Sequence, residues 1–192
     1  MIDSSSRGIT RSSRCRTIKR TLGSIGALAL AMVATAAASQ GTGGRAPDLG
    51  TCQNLHVAAK NPVIWHVYAE GVQIYRWNGT SWVFVAPEAV LFADAGGHGQ
   101  VGFHYAGPTW ETLSGSKVVG AVIDRCTPDP TAIPWLILGA VSKQGPGVLN
   151  QVSLIQRVNT VGGLAPSQAG SFSGQEARVP YTTEYFFYLT KD

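Results

Sequence analysis

Trp110 and Glu111 stand side by side after the Gly107-Pro108 turn, and His104 lies just before that turn. An aromatic ring beside a carboxylate at a strand end is typical of surfaces that bind small molecules or sugars. Glu111 and His104 are also residue types that serve as acid and base in catalysis, and their spacing permits them to meet. The stretch therefore predicts a binding site for a small molecule or a carbohydrate. A hydrolase or isomerase that uses Glu111 and His104 is the alternative.

Tyr75 and Arg157 are weaker candidates for the same site, and Tyr75 lies in an aromatic hairpin. Residues 72–85 alternate around Asn78-Gly79, a pair that accepts the positive φ values of a two-residue type I′ turn. In the register that such a turn sets, side chains alternate so that each face of the hairpin carries apolar residues. One face carries Tyr75, Trp77, Trp82 and Phe84, and the other carries Val72, Ile74, Val83 and Val85. The aromatic face is either covered by a second layer or exposed as a contact surface, and the sequence leaves both open.

The sequence predicts no cofactor and no metal site. Residues 97–102, GHGQVG, match the spacing of a dinucleotide-binding loop, but that loop works only where it opens a helix. Here FHYAGPTW follows, which is strand-like and closed by a proline, so a hairpin turn is predicted. His98 and His104 would lie about 20 Å apart along one strand, too far to share a metal ion. The sequence also lacks the GxSxG nucleophile elbow.

The first 38 residues have the organisation of a signal peptide. Six basic residues precede an apolar run at 22–37, and small residues follow it, so cleavage is predicted near Ala38. A retained membrane anchor is the alternative, but the run is short and rich in alanine for a spanning helix. The protein is therefore predicted to be secreted or periplasmic.

Removal of this leader changes the charge of the chain. Of 15 basic and 11 acidic residues, nine basic and ten acidic ones lie beyond Ala38, a net charge of −1. This balance offers no basic patch for nucleic acid or for an anionic membrane. The mature protein is predicted to bind neither, and its oligomeric state is left open.

Two cysteines, Cys52 and Cys126, remain after the leader and its Cys15 are removed. An even pair in an exported protein predicts one disulfide, with two free thiols as the alternative. Such a bridge would close a long loop and restrict the unfolded chain.

The chain beyond the leader is predicted to be an all-β protein. Residues 39–54 are rich in glycine and polar residues and are predicted to form a flexible arm, and residues 55–192 form a single domain. About nine short strands separated by turns are typical of an antiparallel β-sandwich or a small barrel. The hairpin 72–85 and the apolar run 134–141, PWLILGAV, are predicted as interior strands, and 162–174 as a long surface loop.

Six ordered blocks of this domain resemble an uncharacterised family of secreted proteins in bacteria and fungi, catalogued as a domain of unknown function. The blocks are GVQIYRW, VAPEAVLF, GFHYAGPTWE, AIPWLILGA, LIQRVNTVGG and VPYTTEYFFY. The resemblance covers residues 55–188 and implies an exported, β-rich domain without an assigned reaction, cofactor or ligand. It also implies a cysteine where Trp77 stands and another near Ala169. Both are absent here, so Cys52 and Cys126 look like a replacement particular to this chain.

The function that these features favour is binding rather than catalysis. A hairpin that is apolar on both faces leaves an aromatic patch unless it is covered twice, and large exposed apolar patches mark interaction sites. We therefore expect a secreted, non-enzymatic binding or cell-surface module. Its contact surface is expected to be Trp110 together with the aromatic face of the hairpin.

Overall fold

Eight antiparallel strands form one sheet that closes on itself as a barrel. The computed structural model describes residues 45–190, so the predicted signal peptide and the first part of the arm lie outside the described residues. The all-β prediction is confirmed in its barrel form, with eight strands. No helix within this range is long and apolar enough to span a membrane. The strands are β1 Val63–Trp77, β2 Trp82–Phe92, β3 Gln100–Tyr105, β4 Thr109–Thr112, β5 Lys117–Cys126, β6 Trp135–Gln144, β7 Leu154–Gly162 and β8 Glu176–Tyr188.

The barrel has one packed end and one open end. Strand order follows the sequence, and β1 pairs with β8 to close the sheet. Leu91, Phe187 and other inward side chains fill the lower end, where the chain enters β1. Leu149, from the short 3₁₀ helix Val148–Gln151 between β6 and β7, joins this cluster. The upper end carries the β1–β2 turn and the β7–β8 loop.

The outer face of the barrel is covered on one side by residues 45–62, the segment that precedes β1. In β8, Phe187 packs inside the barrel, whereas Phe186 packs outside it against this segment. Leu49 and Cys52 are 7% and 0% exposed. The end of the predicted flexible arm therefore belongs to the packed domain, while the division at Ala38 stays a prediction.

A disulfide between Cys52 and Cys126 ties this segment to the end of β5, as the even cysteine count predicts. Cys52 directly precedes a 3₁₀ helix, Gln53–Leu55. The Leu55 carbonyl accepts a hydrogen bond from the buried Gln156 amide at 2.6 Å, and the Gln156 carbonyl accepts one from the Tyr188 hydroxyl. The segment is thus held covalently at one point and by a buried polar chain at another.

β6 contains the apolar run that the sequence predicts as a buried interior strand. Ile137 packs on the outer face beneath residues 45–62, and Leu138 packs inside the barrel. The second half of the strand differs from the prediction, because Val141 is 64% exposed. The strand is buried on both faces only where the N-terminal segment covers the outside.

The turn between β1 and β2 is longer than predicted. Trp77 pairs with Trp82, so four residues, 78–81, form the connection instead of two. The Asn78 side chain explains this, because its Oδ1 accepts two backbone N–H groups within the turn, at 2.9 and 2.8 Å. The register shifts by two residues, which leaves every side chain near the turn on its predicted face. The aromatic face therefore exists, with the Trp77 and Trp82 ring centroids 5.5 Å apart.

The loop between β7 and β8, residues 163–175, lies against the tip of this hairpin. The Trp82 indole N–H donates to the Gln168 carbonyl at 2.8 Å. Gly170 packs so closely on Trp77 that a Cβ added to it would lie 2.5 Å from the ring, so a larger residue does not fit. The family resemblance implied two cysteines at Trp77 and in this loop. Trp77 and this loop are neighbours in the structure, and here they are held together by packing instead of by a disulfide.

Short β3 and β4 strands leave a notch in the upper rim of the barrel. β2 runs through Pro87, beyond the predicted end of the hairpin at residue 85, but pairs with β3 only from Ala89 onward. β5 pairs with β4 only as far as Val119. Pro87 is tolerated because this part of β2 has a neighbouring strand on one side only. The facing edges of β2 and β5 are therefore unpaired above the turn that joins β3 to β4.

Breaking the disulfide should release the N-terminal segment without opening the barrel. We expect Cys52→Ser with Cys126→Ser to lower the free energy of unfolding by about 2–4 kcal/mol, because the bridge restricts the unfolded chain. Amide hydrogen exchange should rise at residues 49–57 and stay slow in β8. Unchanged exchange at 49–57 would show that packing alone holds the segment.

Candidate ligand-binding cavity

The open end of the barrel contains a cavity of about 550 Å³. This volume lies within the range of roughly 300–1,000 Å³ that is typical of small-molecule sites. Among the described residues that line it, two are charged, Arg125 and Arg157, and none is acidic. The others are Gln73, Tyr75, Phe84, Val85, Pro87, His104, Gly107, Pro108, Trp110, Val122, Ile133, Pro134, Leu136, Leu138 and Tyr185.

Trp110 and His104 lie at the buried end of this cavity instead of forming an exposed contact surface. They are paired across β3 and β4, and their rings stack with 4.4 Å between centroids. The Tyr185 ring packs edge-on against both. Trp110 is only 1% exposed, and truncating a tryptophan buried in this way costs about 3–5 kcal/mol of stability. Trp110 can therefore reach a ligand only from within the barrel.

Glu111 points away from the cavity. Successive residues of β4 alternate, so Trp110 faces inward and Glu111 outward. The Glu111 carboxylate accepts the Tyr105 hydroxyl at 2.5 Å and pairs with the Lys117 ammonium at 3.2 Å. These two donors lower the pKa of Glu111. The structure therefore does not bring together Glu111 and His104, the acid and base of the enzymatic alternative.

The two weaker candidates, Tyr75 and Arg157, do line the cavity. The Tyr75 hydroxyl donates to the Gly163 carbonyl at 2.7 Å, which ties β1 to the start of the β7–β8 loop. Arg157 points inward from β7, on the same face as the buried Ile155. Its Nε and Nη2 both donate to the Pro134 carbonyl, at 3.2 and 2.7 Å. Four of the five predicted site residues therefore meet at one cavity.

Three buried side chains at the cavity have polar atoms without a hydrogen-bond partner among the described residues. They are the Gln73 amide nitrogen, the Trp110 indole nitrogen and the Tyr185 hydroxyl, on side chains that are 2%, 1% and 0% exposed. The Tyr181 hydroxyl also lacks a hydrogen bond of good geometry, although it interacts with the Tyr185 hydroxyl and the Gln73 side chain. Burial raises the pKa of both tyrosines, so they stay protonated and able to donate. Because buried polar atoms are nearly always paired, unpaired ones at a cavity wall mark a place for a ligand or water.

His104 is neutral at the buried end of the cavity. Its Nδ1 lies 2.8 Å from the Thr109 carbonyl, which can only accept, so Nδ1 carries the hydrogen. Nε2 is then an acceptor. Burial lowers the pKa of His104 to about 3, and the nearby Arg157 charge contributes to this shift. The imidazole therefore offers one acceptor and no charge at neutral pH.

The sequence analysis missed Gln73 and Tyr185 as site residues. The signal was present, because Gln73 shares the aromatic face of the hairpin with Tyr75, and Tyr185 alternates with Phe187 in β8. A glutamine on an otherwise aromatic face indicates a polar function for that face. Alternation within each strand could not show that the Gln73 face of β1 and the Tyr185 face of β8 look into the same interior.

The other histidines of the described chain lie outside this cavity. His66 is on the outer face of β1, with its Nε2 2.7 Å from Glu184 and its ring stacked on Phe186. His98 lies in the turn before β3, beside Asp94 at 3.1 Å, so GHGQVG forms a hairpin turn as predicted. Across residues 45–190, no group of three His, Cys, Asp or Glu side chains is placed to hold a metal ion.

The fold and the cavity define a class of protein, the small closed antiparallel barrel with a ligand-sized cavity at one end. No curated protein and no solved structure matches the chain. Residues 58–189, which include every strand of the barrel, match the family described as protein of unknown function (DUF3455). The chain belongs to that family, and the resemblance noted in the sequence is confirmed.

Removal of an unpaired hydroxyl should not destabilise the free protein. We expect Tyr185→Phe to leave the free energy of unfolding unchanged or to raise it, because the buried hydroxyl has no hydrogen bond of good geometry to lose. Tyr188→Phe is the matched control, since its hydroxyl donates to Gln156 and its loss should cost about 1–3 kcal/mol. Urea denaturation measures both changes. Equal destabilisation of the two variants would show that the Tyr185 hydroxyl is paired.

His104 should make the stability of the protein depend on pH below neutrality. Its pKa is about 3 in the folded state and 6.5 in an exposed histidine, so between these values the unfolded chain binds one more proton. Stability from this group therefore rises with pH across that window, with a slope of up to about 1.4 kcal/mol per pH unit. His104→Phe, which keeps a ring against Trp110, should flatten the dependence. Urea denaturation from acid to neutral pH tests this, and parallel curves for the two proteins would contradict it.

Proposed function

We propose that this domain is an exported, non-enzymatic binding protein that holds a small, largely apolar molecule inside its barrel. The observation that carries the proposal is the set of unpaired buried polar atoms on the wall of a mostly apolar cavity. Gln73, Trp110 and Tyr185 each present a hydrogen-bond donor there, and a ligand with acceptor atoms would satisfy them. Surrounding aromatic and aliphatic side chains would bind the apolar part of the same molecule.

Stability alone does not account for these groups. A buried polar group without a partner costs about 1–3 kcal/mol, and an apolar side chain of the same shape would avoid this cost. Barrels of this strand number can fill their interiors with side chains, as Leu91, Leu149 and Phe187 do at the packed end. The upper end keeps a cavity and unpaired donors instead, and both features suit a ligand.

The notch between β2 and β5 supplies an entrance to the cavity. Phe84, Val85 and Val122 line it and are about half exposed. Gly107 and Pro108, in the turn between β3 and β4, form its lower edge. Exposed apolar side chains at the mouth of an enclosed site favour the entry of an apolar molecule.

The contact surface in this proposal is inside the protein rather than outside it. Of the aromatic face of the hairpin, Tyr75 and Phe84 line the cavity. Trp77 and Trp82 instead hold the β7–β8 loop against the hairpin tip. The aromatic residues that suggested a binding module are thus divided between lining the cavity and supporting its rim.

Export is supported by two independent features. Residues 1–38 have the organisation of a signal peptide. The Cys52–Cys126 disulfide is of a kind that persists in oxidising compartments outside the cytosol. Cleavage near Ala38 would leave the packed N-terminal segment, which begins near Leu49, attached to the barrel.

A neutral apolar dye tests the proposed function. We expect N-phenylnaphthylamine to bind the mature protein saturably at one site, with an increase in fluorescence. Val122→Trp places a large ring at the mouth and should weaken this binding at least about tenfold, which is a change of about 1.4 kcal/mol.

Ile123→Trp is the matched control for this experiment. Ile123 is 62% exposed and does not line the cavity, so this variant should bind the dye as the wild-type protein does. Absence of dye binding, or equal weakening in the two variants, would contradict the proposal.

A further inference from the structure

We propose that the bound molecule is a small amphipathic carboxylate, whose charged group pairs with the Arg157 guanidinium inside the barrel. This step rests on the proposed function and names the chemical class of its ligand. The observation behind it is a cation that lacks an anionic partner. Five ion pairs are formed within residues 45–190, and Arg157 takes part in none of them.

The Arg157 charge lies among the polar groups of the cavity. Burial raises the pKa of Tyr75 and of Tyr185, and the positive charge of Arg157 opposes that rise in both. Burial lowers the pKa of His104, and the same charge lowers it further. These three side chains come from β1, β8 and β3. Arg157 lines the same cavity as all three from β7.

Much of the hydrogen-bonding capacity of this guanidinium is unused. Arginine has five N–H donors, and Arg157 directs two of its nitrogens to the Pro134 carbonyl and also interacts with the Tyr185 hydroxyl. That carbonyl orients the side chain but does not neutralise it. A partly buried cation without a counter-charge is costly, whereas a carboxylate accepts two parallel N–H bonds from a guanidinium.

The neutral donors of the wall complete a site for an anion. The Tyr185 hydroxyl, the Gln73 amide and the Trp110 indole are all unpaired and all able to donate. A carboxylate offers about four lone-pair positions and can accept from several donors at once. The Tyr185 and Trp110 rings pack with 5.2 Å between centroids, and Gln73 lines the same cavity.

The same wall is poorly suited to a cation or to a sugar. Both charged residues of the lining are arginines, so a cationic ligand would be repelled. Every sugar hydroxyl brings a donor that needs an acceptor, and carboxylates are the strongest acceptors among side chains. No described residue of the lining is acidic. The positive charge and the hydrogen-bond donors of the lining therefore favour an anionic group on the ligand. The apolar side chains of the lining favour an apolar remainder of the same molecule.

Competition against the bound dye tests this selectivity. Naphthaleneacetate and naphthaleneacetamide share one ring system and nearly one shape but differ in charge, and naphthylethylamine carries the opposite charge. We expect the acid to displace N-phenylnaphthylamine at least about tenfold more effectively than the amide, because a carboxylate has the opposite charge to the guanidinium and two oxygens that accept from it in parallel, whereas the amide offers one neutral oxygen. The amine should be the weakest competitor.

Substitution of Arg157 should remove the preference for the acid. In Arg157→Met, affinity for the acid should fall at least about tenfold, and it should fall by more than the affinities for the amide and the dye. Arg157→Lys keeps the charge but not the planar fork, and should retain part of the preference. Arg178→Gln is the matched control, because Arg178 pairs with Glu88 on the outer surface at 2.8 Å. Its removal should change none of the three affinities.

The outcomes separate this inference from the proposed function. If the wild-type protein binds the dye but binds acid and amide equally, the carboxylate assignment is wrong and the binding function stands. If the dye does not bind, the proposed function itself is wrong. An equal loss of preference in Arg178→Gln and Arg157→Met would show a long-range effect of net charge and would overturn the site. If circular dichroism shows that Arg157→Met does not fold, the wild-type comparison and Arg157→Lys decide.

Discussion

The pairing of β1 with β8 holds the rest of the structure in place. These strands pair from Val63 opposite Tyr188 to Arg76 opposite Glu176, and the ladder joins the first strand to the last. It closes the sheet and turns one face of every strand toward a common interior. The ladder of β3 with β4 is much shorter, from Gly102 opposite Thr112 to Tyr105 opposite Thr109. Because the β3–β4 ladder is so much shorter than the β1–β8 ladder, the upper end of the barrel stays open. The cavity and its entrance both lie at this open end.

The two ends of the barrel differ in how they are packed and supported. At the packed end, apolar side chains fill the interior, and residues 45–62 cover the outer face of β6 to β8. Side chains such as Phe186 and Phe187 are therefore buried on opposite faces of one strand. At the open end, only one strand neighbour supports the first half of β2. The packed end supplies rigidity that the open end needs to keep its side chains in position, and the disulfide separately holds residues 45–62 to the end of β5.

The polar groups that make the cavity a candidate site are also those that reduce the stability of the free protein. Gln73, Trp110 and Tyr185 leave polar atoms unpaired, and Arg157 lacks a counter-charge. Local violations of otherwise consistent packing are expected at functional sites, because a ligand supplies the missing partners. The stack of His104 on Trp110 fixes both rings before any ligand binds, so little ordering of these two side chains would be needed on binding.

The sequence by itself determined the all-β class, the disulfide and the faces of individual strands. It could do so because side chains alternate with a period of two whatever a strand pairs with, and because the two cysteines beyond the predicted leader have one possible pairing. Even the two-residue error in the hairpin turn left the aromatic face intact. Only the tertiary structure decided which faces look inward. Tyr75, His104, Trp110 and Arg157 lie on four strands and meet because β1 pairs with β8, a contact between the two ends of the domain that local spacing does not encode. Glu111, next to Trp110 in sequence, lies on the opposite side of the barrel wall because successive strand residues alternate, but only the closed barrel shows which of the two is inside.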